Sequence, residues 1–214
     1  YSLRHLDSFY LHHYVDRDIS IETLAPCAFT DRNQSIIFSN KLGRRTWVNL
    51  SAGYLQRYYD QPFTEFNLDI KFGRWKINKK IKKFGTVAIQ YEFGRAQNQS
   101  HFLPDRPSSF NRSYDTGEWY IPIKIQKGIP FLNELGVSLR SETRVYEAED
   151  PDDPLHAGRN HVDSKYDIWV KKNLSETLTV TVSGRYRTRK TESVYDWVTD
   201  LKSFYQLQYW CKME

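Results

Sequence analysis

The chain has 214 residues, 39% of them apolar and 15% aromatic, with 31 Lys and Arg against 26 Asp and Glu for a formal net charge of +5. The aromatic content argues against disorder, and no run approaches the about 18 apolar residues of a membrane-crossing helix. The cationic excess is scattered without a basic block, so no nucleic-acid partner is expected.

No shift in composition marks a boundary, so residues 1–214 read as one domain. The pattern is weakest over residues 1–34. Phe9–Val15 reads as a strand, turned by Asp16-Arg17-Asp18 into a second one at Ile19–Glu22, with Pro26 at or just past its end. No basic-then-apolar leader precedes Tyr1, so the numbering is expected to describe a mature or truncated chain. A short strand Ser35–Ser39 follows, then a turn at Asn40–Gly43.

From residue 45 the alternation of faces becomes regular. Val48, Leu50, Ala52 and Tyr54 share a face, and after a break at Asp60-Gln61-Pro62 so do Thr64, Phe66, Leu68, Ile70 and Phe72, opposite Glu65, Asn67, Asp69 and Lys71. A basic connection leads to Val87, Ile89, Tyr91 and Phe93, opposite Gln90 and Glu92. Residues 95–116 read as a long loop. Trp119, Ile121, Ile123 and Ile125 then alternate with Pro122 and Lys124, and the missing N–H of Pro122 predicts a bulge or an edge there. Leu135, Val137 and Leu139 alternate with Arg140, Glu142 and Arg144, before an acidic loop at Glu147–Asn160.

Tyr166, Ile168 and Val170 oppose Lys165, Asp167, Trp169 and Lys171. In Leu174–Lys190, Leu178, Val180, Val182, Gly184 and Tyr186 oppose Thr181, Ser183, Arg185, Arg187 and Arg189. A polar loop, Thr191–Asp200, precedes a strand that alternates from Leu201 to Cys211. A helix competes there, because Trp197, Leu201, Phe204 and Gln208 recur at helical spacing.

Strands of this length, polar faces bearing charge, and connections that alternate between short (near 40–44, 127–134, 173–176) and long (near 95–116, 147–160, 191–200) combine into one pattern. Over about residues 45–212 the chain resembles Gram-negative outer-membrane β-barrel proteins, on architecture alone and without a family-specific motif. Leu174–Cys211 resembles the closing hairpin of such barrels, although Tyr209-Trp210 is followed by Cys211-Lys212-Met213-Glu214 where these barrels usually end on an aromatic residue. The resemblance implies an all-β, antiparallel transmembrane β-barrel of about ten strands, or twelve if the N-terminal region adds two. It further implies short periplasmic turns, long external loops, a place in the outer membrane, and lipid as a partner.

In such a barrel Lys71, Lys124, Arg140, Arg144, Arg185, Arg187 and Arg189 face the lumen with Glu65, Asp69, Glu92, Glu142 and Asp167, and Tyr54, Tyr91, Trp119, Tyr166, Tyr186 and Tyr209 form interfacial girdles. The alternative is that these aromatics pack a soluble core. Cys27 and Cys211 are two free thiols or a disulfide across the closing seam.

No catalytic constellation stands out, and no cofactor or metal is expected. His12 and His13 face opposite ways on a strand, His161 and Asp163 share a face without a third group, and Ser100-His101 sits in a loop. Three functions follow from the pattern. The first is a transport or export pore whose basic lumen passes an anionic solute or saccharide, arginine being suited to bidentate binding of carboxylate or phosphate. The second is a non-conducting scaffold or anchor that binds other envelope proteins. The third is a soluble β-barrel holding an apolar ligand.

Overall fold

The computed structural model describes residues 1–12, 16, 20, 23–82, 84–99, 111–149 and 152–214. Ten strands run in chain order: β1 (Ser2–His12), β2 (Phe29–Gly43), β3 (Thr46–Tyr59), β4 (Leu68–Ile81), β5 (Gly85–Asn98), β6 (Tyr114–Ile125), β7 (Glu134–Tyr146), β8 (Asn160–Asn173), β9 (Thr179–Glu192) and β10 (Phe204–Met213). Each pairs antiparallel with its neighbours in sequence, giving one ten-stranded meander. β1 and β10 are its two edges, and no ladder joins them among the described residues.

Short connections (44–45, 82–84, 126–133, 174–178) all fall at one end of this meander and long ones at the other. The sheet is strongly curled. Neighbouring strands lie about 4.8 Å apart, so β2 and β7 would be ~24 Å apart if it were flat. Instead, Asn33 of β2 and Arg144 of β7 line one cavity of about 250 Å³.

Several expectations change. Thr64–Phe66 is a 3-10 turn, and β4 begins only at Leu68. The short strand Ser35–Ser39 is the middle of a fifteen-residue strand. Pro122 sits inside the sheet, where the β5–β6 ladder skips Ala88 and Ile89 without changing register. The competition at the C-terminus resolves into both elements: α1 (Asp196–Lys202), with Val198 buried, followed by strand β10. Of the predicted strand at Ile19–Glu22 only Ser20 is described, and it is helical, its N–H donating to the Asp16 carbonyl at 2.9 Å; the rest of that stretch and most of the turn before it lie outside the described residues, as do His13 and Ser100-His101.

The convex face is apolar along about nine residues of most strands, as in Gly85–Phe93 and Gly117–Ile125, and in Gly73–Ile81 apart from Lys79. No layer covers it among the described residues: Phe38, Leu50, Ile77, Phe93, Trp119, Leu139, Ile168, Val182 and Leu207 are all exposed. Nine residues across ten strands make roughly 1,200 Å² of apolar surface, above the ~300–600 Å² of the largest patch on a typical monomer.

Toward the long connections the polarity inverts. On the convex side β4 carries Asp69 and Lys71, β5 Arg95 and Gln97, β6 Asp115, and β9 Thr188 and Lys190. On the concave side Leu68, Ala96, Tyr114 and Tyr146 pack into a small buried core with Ile70. The longer part of most strands is thus apolar outside and polar inside, and the loop-ward part of β4–β6 is arranged like a soluble protein.

Candidate functional site: the charged concave face

Ladder partners share a face, so the pairing register orders the concave side chains into rows. One row reads Arg4, Ile37, Ser51, Arg74, Glu92, Glu118, Glu142, Asp163, Arg189 and Phe204 from β1 to β10. Four acids therefore stand side by side on β5–β8. Like charges directly opposite one another destabilise a sheet, so this belt requires cations, and each acid has one.

Arg74 pairs with Glu92, Arg140 Nη1 lies 3.6 Å from Glu118, and Arg144 donates from Nε (3.1 Å) and Nη2 (2.6 Å) to Glu142 Oε1. Asp163, its side chain only 1% exposed, is the most heavily engaged. Arg187 Nε donates to both of its oxygens at 3.0 and 3.1 Å, Arg189 Nη2 donates at 2.9 Å, and Lys165 Nζ lies 4.0 Å away. The next row toward the short turns contains Lys76, Arg140, Lys165 and Arg187 and no acid. An acidic belt is thus flanked by cations from its own row and from the rows beside it. Aromatic faces hold several of these cations: Arg140 over Tyr120 at 4.7 Å and Arg144 over Tyr114 at 4.2 Å.

Toward the short turns, Arg185 pairs with Asp167, which also accepts from Ser138 Oγ at 3.0 Å. Trp169 lies across Gly136 and donates to Glu134 Oε1 at 2.7 Å, and Lys124 stands 5.8 Å over its ring. A cavity of about 450 Å³ opens on the β1–β5 side, lined by Arg4, Lys76, Ser39, Asn49, Ser51 and Gln90 among others. Arg74, which pairs with Glu92, lines it as well.

Among the described residues, buried side chains cross the long-connection end. Tyr59 Oη donates to Asp16 at 2.6 Å and accepts from Arg112 Nη1 at 3.0 Å, and Arg112 is 2% exposed. Asn98 donates to the Glu65 carbonyl at 2.8 Å, Asn111 N donates to Asp153, and Asp153 pairs with His156 Nδ1 at 2.8 Å. Arg159 covers the Tyr146 ring at 3.9 Å. Connections distant in sequence are tied together here by buried polar contacts.

Among the predicted inward residues, Lys124, Arg140, Arg144, Arg185, Arg187, Arg189, Glu92, Glu142 and Asp167 share the concave face. Lys71 and Asp69 do not: they lie on the convex face in line with Trp75, and Glu65 is in the 3-10 turn. The polarity inversion within β4 is the reason, since Leu68, Ile70 and Phe72 are apolar but point inward.

All six predicted girdle aromatics lie on the convex face. Tyr54, Tyr91, Trp119, Tyr166 and Tyr186 mark the loop-ward edge of the apolar band, joined by Trp75, Phe93 and Tyr205, whereas Tyr209 sits in its interior. Rings touch from strand to strand: Trp75–Trp119 at 5.6 Å, Tyr91–Trp119 at 4.6 Å and Tyr166–Tyr186 at 6.2 Å. Cys27 is buried, Cys211 is exposed, and both are free thiols, which removes the disulfide.

His161 and Asp163 do not form an acid/base pair with one another, because Asp163 is taken by two arginines. Glu118, Arg74 and the Arg57–Asp31 pair (Nε to Oδ1, 2.9 Å) were not predicted from the sequence. The facing runs Asp163-Ser-Lys-Tyr-Asp167 and Arg185-Tyr-Arg-Thr-Arg189, joined by a short turn, were the available signal. No protein-family model, curated protein or solved structure matches the chain.

Proposed function

We propose that the chain is an integral membrane β-barrel of the outer-membrane type, acting as a non-conducting anchor or scaffold in a bacterial envelope. The exposed apolar convex face, backed by a charged concave face, carries this reading. A water-soluble sheet hides its apolar side, whereas a membrane barrel turns it to lipid and keeps its polar side within. Nine apolar-band residues per strand approach the about nine to eleven of a membrane-crossing strand. The strands continue past the aromatic edge by several residues, and there the polarity is that of a protein in water. Bare sheet edges are not tolerated in hydrocarbon, so in lipid β1 closes onto β10.

The ion-paired arginines and the buried contacts that cross the long-connection end among the described residues favour a sealed interior over an open pore. The β7–β8 loop, with Glu149 exposed, then offers an acidic contact to envelope partners. A second reading, a path for an anionic solute or saccharide, draws on the cavity beside Arg4 and Lys76, cations with no acidic partner among the described residues.

Purification with and without detergent, followed by planar-bilayer recording, tests both. The anchor predicts aggregation without detergent and no discrete conductance steps with it. Steps whose anion selectivity falls on Lys76→Glu would replace it with the second reading. A monodisperse protein in plain buffer would remove the membrane altogether, leaving a soluble barrel.

A further inference from the structure

The two ends of the sheet are chemically unlike. At the loop-ward edge of the apolar band stands the aromatic belt. The short-turn edge has no such belt on its convex side and carries cations instead: Arg44, Arg45, Lys79, Lys82 and Lys127 are exposed, and Lys172 is half-buried on the convex face. Few acids answer them there. Glu134 is occupied by Trp169 and Gln126, Glu214 pairs with Lys212, and Glu176 lies in the β8–β9 turn.

The same turns expose apolar tips. Phe131 is 87% exposed, Leu42 64%, Leu174 61% and Phe84 49%. Turns that end in water have no reason to present large apolar residues. A ring of ammonium and guanidinium groups interleaved with apolar tips and continuous with an apolar band fits one surface: a lipid headgroup layer, where stems and rings enter the acyl boundary and the cations meet phosphate.

We infer that the short-turn rim is an anionic-lipid binding surface, which fixes the depth of the barrel in its membrane and selects phosphate-rich, net-negative lipid around it. The inference rests on the membrane reading above. Cationic groups beside a charged leaflet gain energy that acts within a Debye length and fades with salt, whereas beyond the aromatic belt at the other edge the convex cations Lys71 and Arg95 stand beside Asp69, Asp115 and Glu147.

The test is electron paramagnetic resonance of the folded protein in phosphatidylcholine vesicles doped with spin-labelled phosphatidylcholine or phosphatidylglycerol. The expected result is a motionally restricted population for both lipids, with phosphatidylglycerol preferred by at least about threefold in dilute salt and the preference collapsing toward one in molar salt. Neutralising Lys79→Gln, Lys82→Gln and Lys172→Gln together is expected to remove most of the preference while leaving the restricted phosphatidylcholine population, which reports intact insertion. Equal populations of the two lipids in the unaltered protein would overturn the inference and leave the rim to an acidic protein partner. No restricted population with either lipid would instead overturn the membrane reading beneath it.

Discussion

Asp163 shows what a single side chain does in this interior. Its carboxylate stands in an acidic belt and is made tolerable only by Arg187, Arg189 and Lys165 around it. Removing its charge leaves three cations facing one another at a site with almost no access to water. Taking away one partner of a buried pair typically costs about 3–5 kcal/mol. Asp163→Asn is therefore expected to lower folding stability by about that much in guanidinium titrations from lipid vesicles; a loss under ~1 kcal/mol would mean the network is solvated and slack. A second test at this scale uses glycines. A Cβ on Gly136 would stand 2.0 Å from the Trp169 ring, whereas at Gly184 the nearest atom is 3.7 Å away. Gly136→Ala should destabilise the fold and Gly184→Ala should not, measured by the same unfolding titration.

Along a strand, the change of polarity part-way is the feature that matters. Val182 lies in the apolar half of β9 and is 49% exposed, while Lys71 lies in the polar half of β4. On a surface bathed in water, Val182→Arg would be neutral within about 0.5 kcal/mol. Facing lipid it should cost about 2–4 kcal/mol if the site is near the bilayer midplane, with Lys71→Gln near zero in the same vesicle refolding experiment. Most strands were legible in the sequence because alternation at period two survives wherever one environment spans the whole strand, as in Val180–Tyr186. β4 was not. Leu68 and Ile70 are apolar because they meet Ala96, Tyr114 and Tyr146 inside, Phe72 because its ring lies across Gly53, and Trp75, Ile77 and Ile81 because they face outward. Read over Thr64–Phe72 alone, the even positions look like a complete outward stripe, and the change of parity at Trp75 falls in what reads as a basic connection, which is why Asp69 and Lys71 were assigned to the wrong side. The buried contacts at the long-connection end, Tyr59 with Asp16 and Arg112, had no local signal, since they join residues far apart in the chain.

At the scale of the molecule, the pieces make a curled ten-stranded sheet with an apolar outside, a neutralised charged inside, an aromatic belt at one edge and a cationic rim at the other. Closure of β1 onto β10 is what the membrane reading adds to it. Leu3, His5, Asp7 and Cys211 all project from the convex face. Leu3→Cys, His5→Cys or Asp7→Cys, each in a Cys27→Ser background, should give an oxidant-induced disulfide to Cys211 at one of the three positions in lipid; failure at all three would argue for edges that stay apart. The most direct measurement is spin-label accessibility in vesicles, with single labels at positions 182 and 71 in a background lacking both native cysteines. A lipid-facing convex band predicts that the label at 182 collides preferentially with oxygen, and that at 71 with a water-soluble nickel chelate. Equal access of the nickel chelate to both positions would contradict it.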